Sequence, residues 1–254
     1  MTDIGGMRRA LGSLRAGLGV TGFAVSVGVW LLVPTGWRVR RGLAMVAWRA
    51  LLWGFDLRVV VRGTPLAAPG TLFVANHVSW TDIPVLALVL EAAFVAKGDM
   101  RGWPILGKLT AAYGCLFVER ERRGQAGVQA AAVANHLETE RGLVLFPEGT
   151  TGLGDTVLPF RSSLFALVPG VADGTARVQP VTLRYGQRDR TPLSPEAQRQ
   201  VAWIGDDALL PHAAGLTRLR GLCVEVWFEA PVAATDRKAL ARACEAAVVA
   251  RLAG

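Results

Sequence analysis

The chain has three histidines, His77, His136 and His212, in 254 residues. Any imidazole chemistry must use one of them. His77 stands in Asn76-His77-Val78-Ser79-Trp80-Thr81-Asp82, directly after the apolar run Thr71 to Ala75. A run of that kind reads as a buried strand, and ligands in open α/β sheets bind beyond the carboxyl ends of strands. Asp82 follows five residues later, where a helix is expected to begin. A turn between strand and helix can fold the carboxylate back onto the His77 ring. It would then accept the Nδ1 proton, leaving Nε2 to take a proton from a substrate hydroxyl. The competing reading is that Asp82 only caps the helix, in a capping-box pairing with Ser79, and that His77 is incidental. His136 lies in an Ala-rich helical stretch beside Asn135 and Glu138, and a solvated face accounts for it. His212 follows Pro211 in a polar region and is read as structural or peripheral.

A second cluster, Leu145-Phe146-Pro147-Glu148-Gly149-Thr150-Thr151, also follows an apolar strand. It therefore falls on the same sheet edge as His77. A carboxylate at a strand end, then glycine and two hydroxyl residues, can contact a headgroup or an oxyanion. A plain strand-to-turn junction is the alternative. Between the two clusters, Gly114-Cys115-Leu116-Phe117-Val118-Glu119-Arg120 reads as a strand delivering Arg120, whose guanidinium can grip an anion. Lys97, after Phe94-Val95-Ala96, and Arg161, after Leu158-Pro159-Phe160, add positive charge at segment ends.

These side chains need a scaffold. Strands are expected at 57–61, 71–75, 93–96, 115–118, 143–146, 178–184 and 222–228. Helices are expected at 82–90, 103–113, 125–140, 161–168 and 236–252. The alternation indicates an α/β fold with a mainly parallel central sheet flanked by helices. The stretch from Gln187 to Leu219, with Pro192, Pro195 and Pro211, reads as a long surface excursion. Two units follow: 1–56 as N-terminal membrane-associated helices and 57–254 as the domain that carries the chemistry.

The N-terminal reading rests on composition. Hydrophobic residues make up 52% of the chain and mean hydropathy is +0.35. From Ala16 to Val33 there is no charge, near the lower limit of about 17–20 residues for crossing a bilayer. No small-residue cleavage site closes the run, so it reads as a retained anchor rather than a signal peptide. A second apolar stretch runs from Gly42 to Phe55 and includes Arg49. Basic residues flank the first run on both sides, which allows either a single crossing or a helical pair dipping into one leaflet. The net charge of +8 suits an anionic membrane surface or nucleic acid, or merely an Arg-rich surface. The absence of any nucleic-acid motif and the apolar N-terminus favour the membrane. Cys115, Cys223 and Cys244 are scattered without a metal or dithiol spacing. No G-x-S-x-G elbow suggests a serine hydrolase.

In order and spacing, these motifs resemble the glycerolipid acyltransferase family, which includes the lysophosphatidate acyltransferases. The H-x-x-x-x-D block is similar to His77 and Asp82, G-x-x-F-x-x-R to Gly114, Phe117 and Arg120, and F-P-E-G-T to Phe146, Pro147, Glu148, Gly149 and Thr150. The final block is Val178-Gln179-Pro180-Val181. The resemblance covers Leu57 to Tyr185. It implies His77 as general base, acyl-CoA or acyl-carrier protein as donor, a lysolipid as acceptor, and neither metal nor cofactor. Family members that use phosphate acceptors usually carry arginine where Thr151 stands, and that change removes a bidentate phosphate ligand. The stretches from Thr150 to Phe165 and from Ala202 to His212 look like those of the lyso-ornithine lipid acyltransferases. These acylate the 3-hydroxyl of an N-acylated ornithine. The resemblance implies an enzyme of the inner membrane with its catalytic domain facing the cytoplasm. The alternatives are acylation of 1-acylglycerol-3-phosphate and, outside catalysis, an inactive membrane-binding protein of the same fold.

Overall fold

The computed structural model describes residues 4–33, 37–102, 110–111, 113–118, 126–138, 142–171, 174–234 and 236–254. Arg120 and most of the helix expected at 103–113 lie outside them. Seven strands form one sheet: β1 (Leu57–Arg62), β2 (Leu72–Ala75), β3 (Ala92–Lys97), β4 (Leu116–Val118), β5 (Gly142–Leu145), β6 (Val178–Gln187) and β7 (Leu222–Phe228). Their order is β1-β7-β6-β2-β5-β3-β4. Every pairing is parallel except β6 with β7. The carboxyl ends of β2 to β6 therefore share one edge.

Helices cover both faces. Among the described residues they are α1 (Ile4–Leu32), α2 (Trp37–Gly54), α3 (Asp82–Val89), α4 (Ala126–Leu137), α5 (Ser162–Phe165), α6 (Pro195–Val201), α7 (Leu209–Leu216) and α8 (Arg237–Ala253). Side chains alternate across a strand, so each strand feeds two cores. Phe73 and Ala75 of β2 join Phe94, Leu183 and Val224 in the core under α2 and α3. Leu72 and Val74 join Leu143, Leu145 and Val178 in the core under α5 and α8. Strands β2 and β5 are buried along their whole length, which is why both read as unbroken apolar runs.

Two expectations are corrected. The helix expected at 161–168 is only Ser162–Phe165. Before it, the N–H groups of Leu158, Phe160 and Arg161 bond to Glu148, Glu245 and the Pro147 carbonyl, which keeps the chain extended. After it, Pro169 disfavours helical geometry at Val168. The excursion from Gln187 to Leu219 is not merely superficial. It carries α6 and α7 and buries Val201, Ala202 and Leu216. Ser194 caps α6 by accepting the Ala197 N–H at 3.2 Å, with Pro195 in the first turn.

At the N-terminus α1 begins well before the uncharged run. Its first half docks on the domain through Ala16, which is buried, and Arg15, which pairs with Asp56 at 2.6 Å. Asp56 links α2 to β1 in the left-handed region, at φ 54°. It also accepts from Arg188 at 2.6 Å and from the Gly221 N–H at 2.8 Å. Burial alone would raise its pKa, but these bonds outweigh it and hold the carboxyl below its ordinary value. Helices α1 and α2 touch backbone to backbone: a Cβ on Gly19 would lie 2.5 Å from the Gly54 Cα. The outer side of α1 exposes Leu11, Leu14, Leu18, Val25 and Leu32. Residues Ala10–Leu32 are long and apolar enough to cross a membrane, with mean hydropathy 1.5.

Candidate active site

Strands β2 and β5 are neighbours, with Val74 opposite Leu145. His77 and Glu148 therefore leave the same edge, each three residues beyond that pair. Strand β6 runs on past the end of β2. Asn76, which is buried, bridges the gap by donating to the Leu183 carbonyl at 3.0 Å and accepting its N–H at 2.8 Å. The amide thus continues the sheet pairing through a side chain and fixes the backbone at His77.

The His77 ring is held on two sides. Nδ1 lies 2.8 Å from Oδ2 of Asp82, and the ring stacks on Phe146 with centroids 4.0 Å apart. A carboxylate only accepts, so Nδ1 carries the proton and the Nε2 lone pair is left free. No hydrogen bond to Nε2 occurs among the described residues, and 17% of the side chain is open to solvent. Asp82 is wholly buried. Its Oδ2 also accepts the N–H groups of Val78 at 2.7 Å and Ser79 at 3.0 Å, and its Oδ1 accepts the Tyr185 hydroxyl at 2.5 Å. Four donors stabilise one buried charge, which sits in the first turn of α3 where the helix dipole favours it.

The expected capping box is only half formed. Asp82 takes the Ser79 N–H, but the buried Ser79 hydroxyl has no partner among the described residues. Thr81 occupies the cap position of α3.

Glu148, 3% exposed, bonds to backbone on both oxygens. Oε1 accepts the His77 N–H at 2.7 Å and Oε2 accepts the Leu158 N–H at 3.0 Å. Burial pushes its carboxyl up to about 7, against the pull of those bonds. The side chain joins two loops, so headgroup or oxyanion contacts fall to other atoms of the turn. Gly149 takes φ 77°, which favours glycine, and Thr150 is exposed beside it. Thr151 is buried, and its hydroxyl donates to the Trp203 carbonyl in a short hydrogen bond. The Trp203 N–H in turn donates to the Val78 carbonyl at 3.0 Å. One residue of the excursion thus braces both motif loops.

Other candidates take flanking places. Arg161 is exposed, and its N–H binds the Pro147 carbonyl at 2.9 Å. Gly114 turns the chain into β4 at φ 88°, and Phe117 lies under the Arg101 guanidinium at 5.1 Å. Lys97 ends β3 opposite Val118. Arg120 would follow two residues beyond, outside the described residues.

The other histidines are otherwise engaged. His212 accepts the Trp80 indole N–H on Nδ1 at 3.1 Å and reaches the Ala202 carbonyl through Nε2 at 3.1 Å. Burial lowers its pKa. His136 is not simply solvated: its Nε2 lies 3.3 Å from the Gly142 carbonyl, tying α4 to β5.

The sequence profile of the Acyltransferase family matches residues 58–184. The chain belongs to the Acyltransferase family. This acyltransferase is 39% identical over 229 residues to the lyso-ornithine lipid O-acyltransferase of Brucella abortus, covering 85% of this chain and 83% of that one. To the lyso-ornithine lipid O-acyltransferase of Rhizobium meliloti it is 38% identical, covering 79% and 68%. A 1-acyl-sn-glycerol-3-phosphate acyltransferase of Neisseria meningitidis is 36% identical over 138 residues, covering 54% and 53%. The acyltransferase also shares its fold with the crystal structure of the 1-acyl-sn-glycerophosphate acyltransferase PlsC from Thermotoga maritima. That match has a TM-score of 0.66 at 21% identity and covers 98% of this chain and 97% of that one.

Tyr185, Asn76 and Trp203 had no place in the sequence reading of the site. Tyr185 and Trp203 come to it from chain segments remote from His77 and Asp82, whereas Asn76 stands directly before His77. A tyrosine directly after the strand expected at 178–184 is the sequence signal for the first of them.

Proposed function

We propose that this acyltransferase moves a fatty acyl group from acyl-carrier protein or acyl-CoA to the hydroxyl of lyso-ornithine lipid. The pairing of His77 Nδ1 with Asp82 Oδ2 at 2.8 Å carries the chemistry of this reading. The acceptor hydroxyl approaches Nε2. His77 removes its proton as the oxygen attacks the thioester carbonyl. Asp82 keeps the ring aligned and stabilises the imidazolium as it forms. Main-chain N–H groups at the strand ends, with a nearby cation, hold the tetrahedral oxyanion. The thiolate then leaves and takes the proton from the imidazolium. The scheme uses no covalent acyl-enzyme, metal or cofactor.

The assignment of the acceptor draws on the relatives of Brucella and Rhizobium and on Thr151. Its hydroxyl is bound to the Trp203 carbonyl, so this position offers a phosphate neither charge nor a fork of donors. The Neisseria relative favours a second reading, in which 1-acylglycerol-3-phosphate is the acceptor. The exposed apolar side of α1 supports a membrane-bound enzyme, which we place in the inner membrane with its site facing the cytoplasm.

The test is an acceptor panel with labelled acyl-carrier protein and acyl-CoA. Lyso-ornithine lipid is expected to be acylated at least tenfold faster than lysophosphatidic acid, a difference of about 1.4 kcal/mol in the barrier. A preference for the phosphate acceptor would reject the first reading, and no product with any acceptor would reject both.

A further inference from the structure

The buried charge of Asp82 is addressed from both sides of the sheet edge. His77 reaches Oδ2 from the loop after β2, and Tyr185 reaches Oδ1 from β6 at 2.5 Å. The Tyr185 oxygen lies 2.7 Å from Thr81 Oγ1. The phenol has one proton and a carboxylate has none to give, so the directions are fixed: Thr81 donates to Tyr185, and Tyr185 donates to Asp82. The tyrosine is buried within this chain of bonds. Burial and the neighbouring Asp82 charge keep its pKa well above the ordinary phenol value, so it stays a donor.

We propose that Tyr185 is a positioning residue of the acyl-transfer reaction, whose phenol fixes Asp82 and sets how tightly the His77–Asp82 pair holds a proton. This rests on the reading of His77 as the base. The phenol carries no group to the substrate and acts only through Asp82. By donating to Oδ1 it disperses the carboxylate charge away from the imidazole. Without that bond, Oδ1 of the buried Asp82 is left without a donor among the described residues. The charge then falls more heavily on Oδ2, and the pair binds its shared proton more strongly. Among the described residues, the titratable groups around Asp82 are His77 from the same loop, Tyr185 from β6 and Glu148 after β5. Glu245 of α8 lies behind Glu148, and His212 of α7 stands beyond Trp80. None of the others donates to Oδ1, so the tyrosine is the lever.

The experiment is the pH profile of kcat/KM for Tyr185→Phe, with His77→Ala assayed alongside. The acid limb is expected to move to higher pH by roughly one unit. A tyrosine that merely fills space would lower the plateau and leave that limb in place. An unmoved acid limb with His77→Ala inactive removes the tyrosine's role alone. Transfer retained by His77→Ala removes the base reading, and this role with it. Should Tyr185→Phe not fold, fluorotyrosine gives the same answer. The chain has only two tyrosines, Tyr113 and Tyr185, so in a Tyr113→Phe background the label reports on Tyr185 alone. The more acidic fluorophenol is a stronger donor and is expected to move the acid limb to lower pH. No movement would overturn the proposal.

Discussion

Oε1 of Glu148 accepts the main-chain N–H of His77 at 2.7 Å. The proposed base is thus held at its ring by Asp82 and at its backbone by a carboxylate from the neighbouring strand's turn. The second oxygen of Glu148 holds Leu158, so one buried side chain sets the spacing of two loops at the sheet edge.

Glu148→Gln keeps the shape but turns one acceptor into a donor. Its amide nitrogen must then face the N–H of either His77 or Leu158. An unsatisfied buried donor costs about 1–3 kcal/mol. Urea unfolding in detergent should show a loss of that size, and kcat should fall by about tenfold or more with the displaced His77 backbone. Unchanged kcat would remove Glu148 from the positioning of His77.

The same carboxyl gives stability a pH dependence. Its folded pKa of about 7 lies above the ordinary 4.5. Between those values the folded protein holds a proton that the unfolded chain has released. The Glu148 contribution is therefore fully present below pH 4.5 and is lost as pH rises through about 7, with a slope of up to about 1.4 kcal/mol per unit. Unfolding of wild type and Glu148→Gln across that window should diverge on this side of neutrality. Parallel curves would contradict the assignment.

Thr151→Val removes the hydroxyl that reaches the Trp203 carbonyl and keeps the side-chain volume. Trp203 then holds only the His77 loop, through its bond to the Val78 carbonyl, and the two motif loops stay joined through Glu148 and through the Gly152 N–H on the His77 carbonyl at 2.8 Å. A loss of about 1–2 kcal/mol is expected, with a reduced kcat that Thr151→Ser restores. A fully active and stable Thr151→Val enzyme would show that the brace is dispensable.

Asp82→Asn places an amide where a carboxylate accepts from His77, Val78, Ser79 and Tyr185. With the amide nitrogen in the Oδ2 place it meets the N–H groups of Val78 and Ser79; in the Oδ1 place the Tyr185 hydroxyl must turn to accept it and donate to Thr81. Either way the imidazolium loses the negative charge that stabilises it. Transfer should fall by about 10²–10⁴-fold. Wild-type turnover in this variant would end the orienting role of Asp82.

The sheet and the centre of the site are legible in the sequence because they depend on local pattern. Leu72 to Ala75 and Leu143 to Leu145 are apolar without interruption, as strands buried on both faces must be. His77 and Asp82 are close in the chain, so a single turn joins them. Tyr185 is different: it meets Asp82 only because β6 pairs with β2 at Ala75 and Val181 and then runs on past its end. No spacing rule encodes that register. The Thr151–Trp203 brace likewise depends on how the excursion docks. The prolines of that stretch read as an excursion, whereas the burial of Val201 and Leu216 follows from tertiary contact. At 161–168, the Arg161 N–H is tied to the Pro147 carbonyl and Pro169 disfavours helical geometry at Val168, so only Ser162–Phe165 coils.

The most direct measurement is acyl transfer to lyso-ornithine lipid by His77→Ala, purified and shown by its unfolding curve to be folded. Transfer is expected to fall by at least about 10³-fold, the scale of a lost general base. Turnover at the wild-type rate by the folded variant would contradict the account.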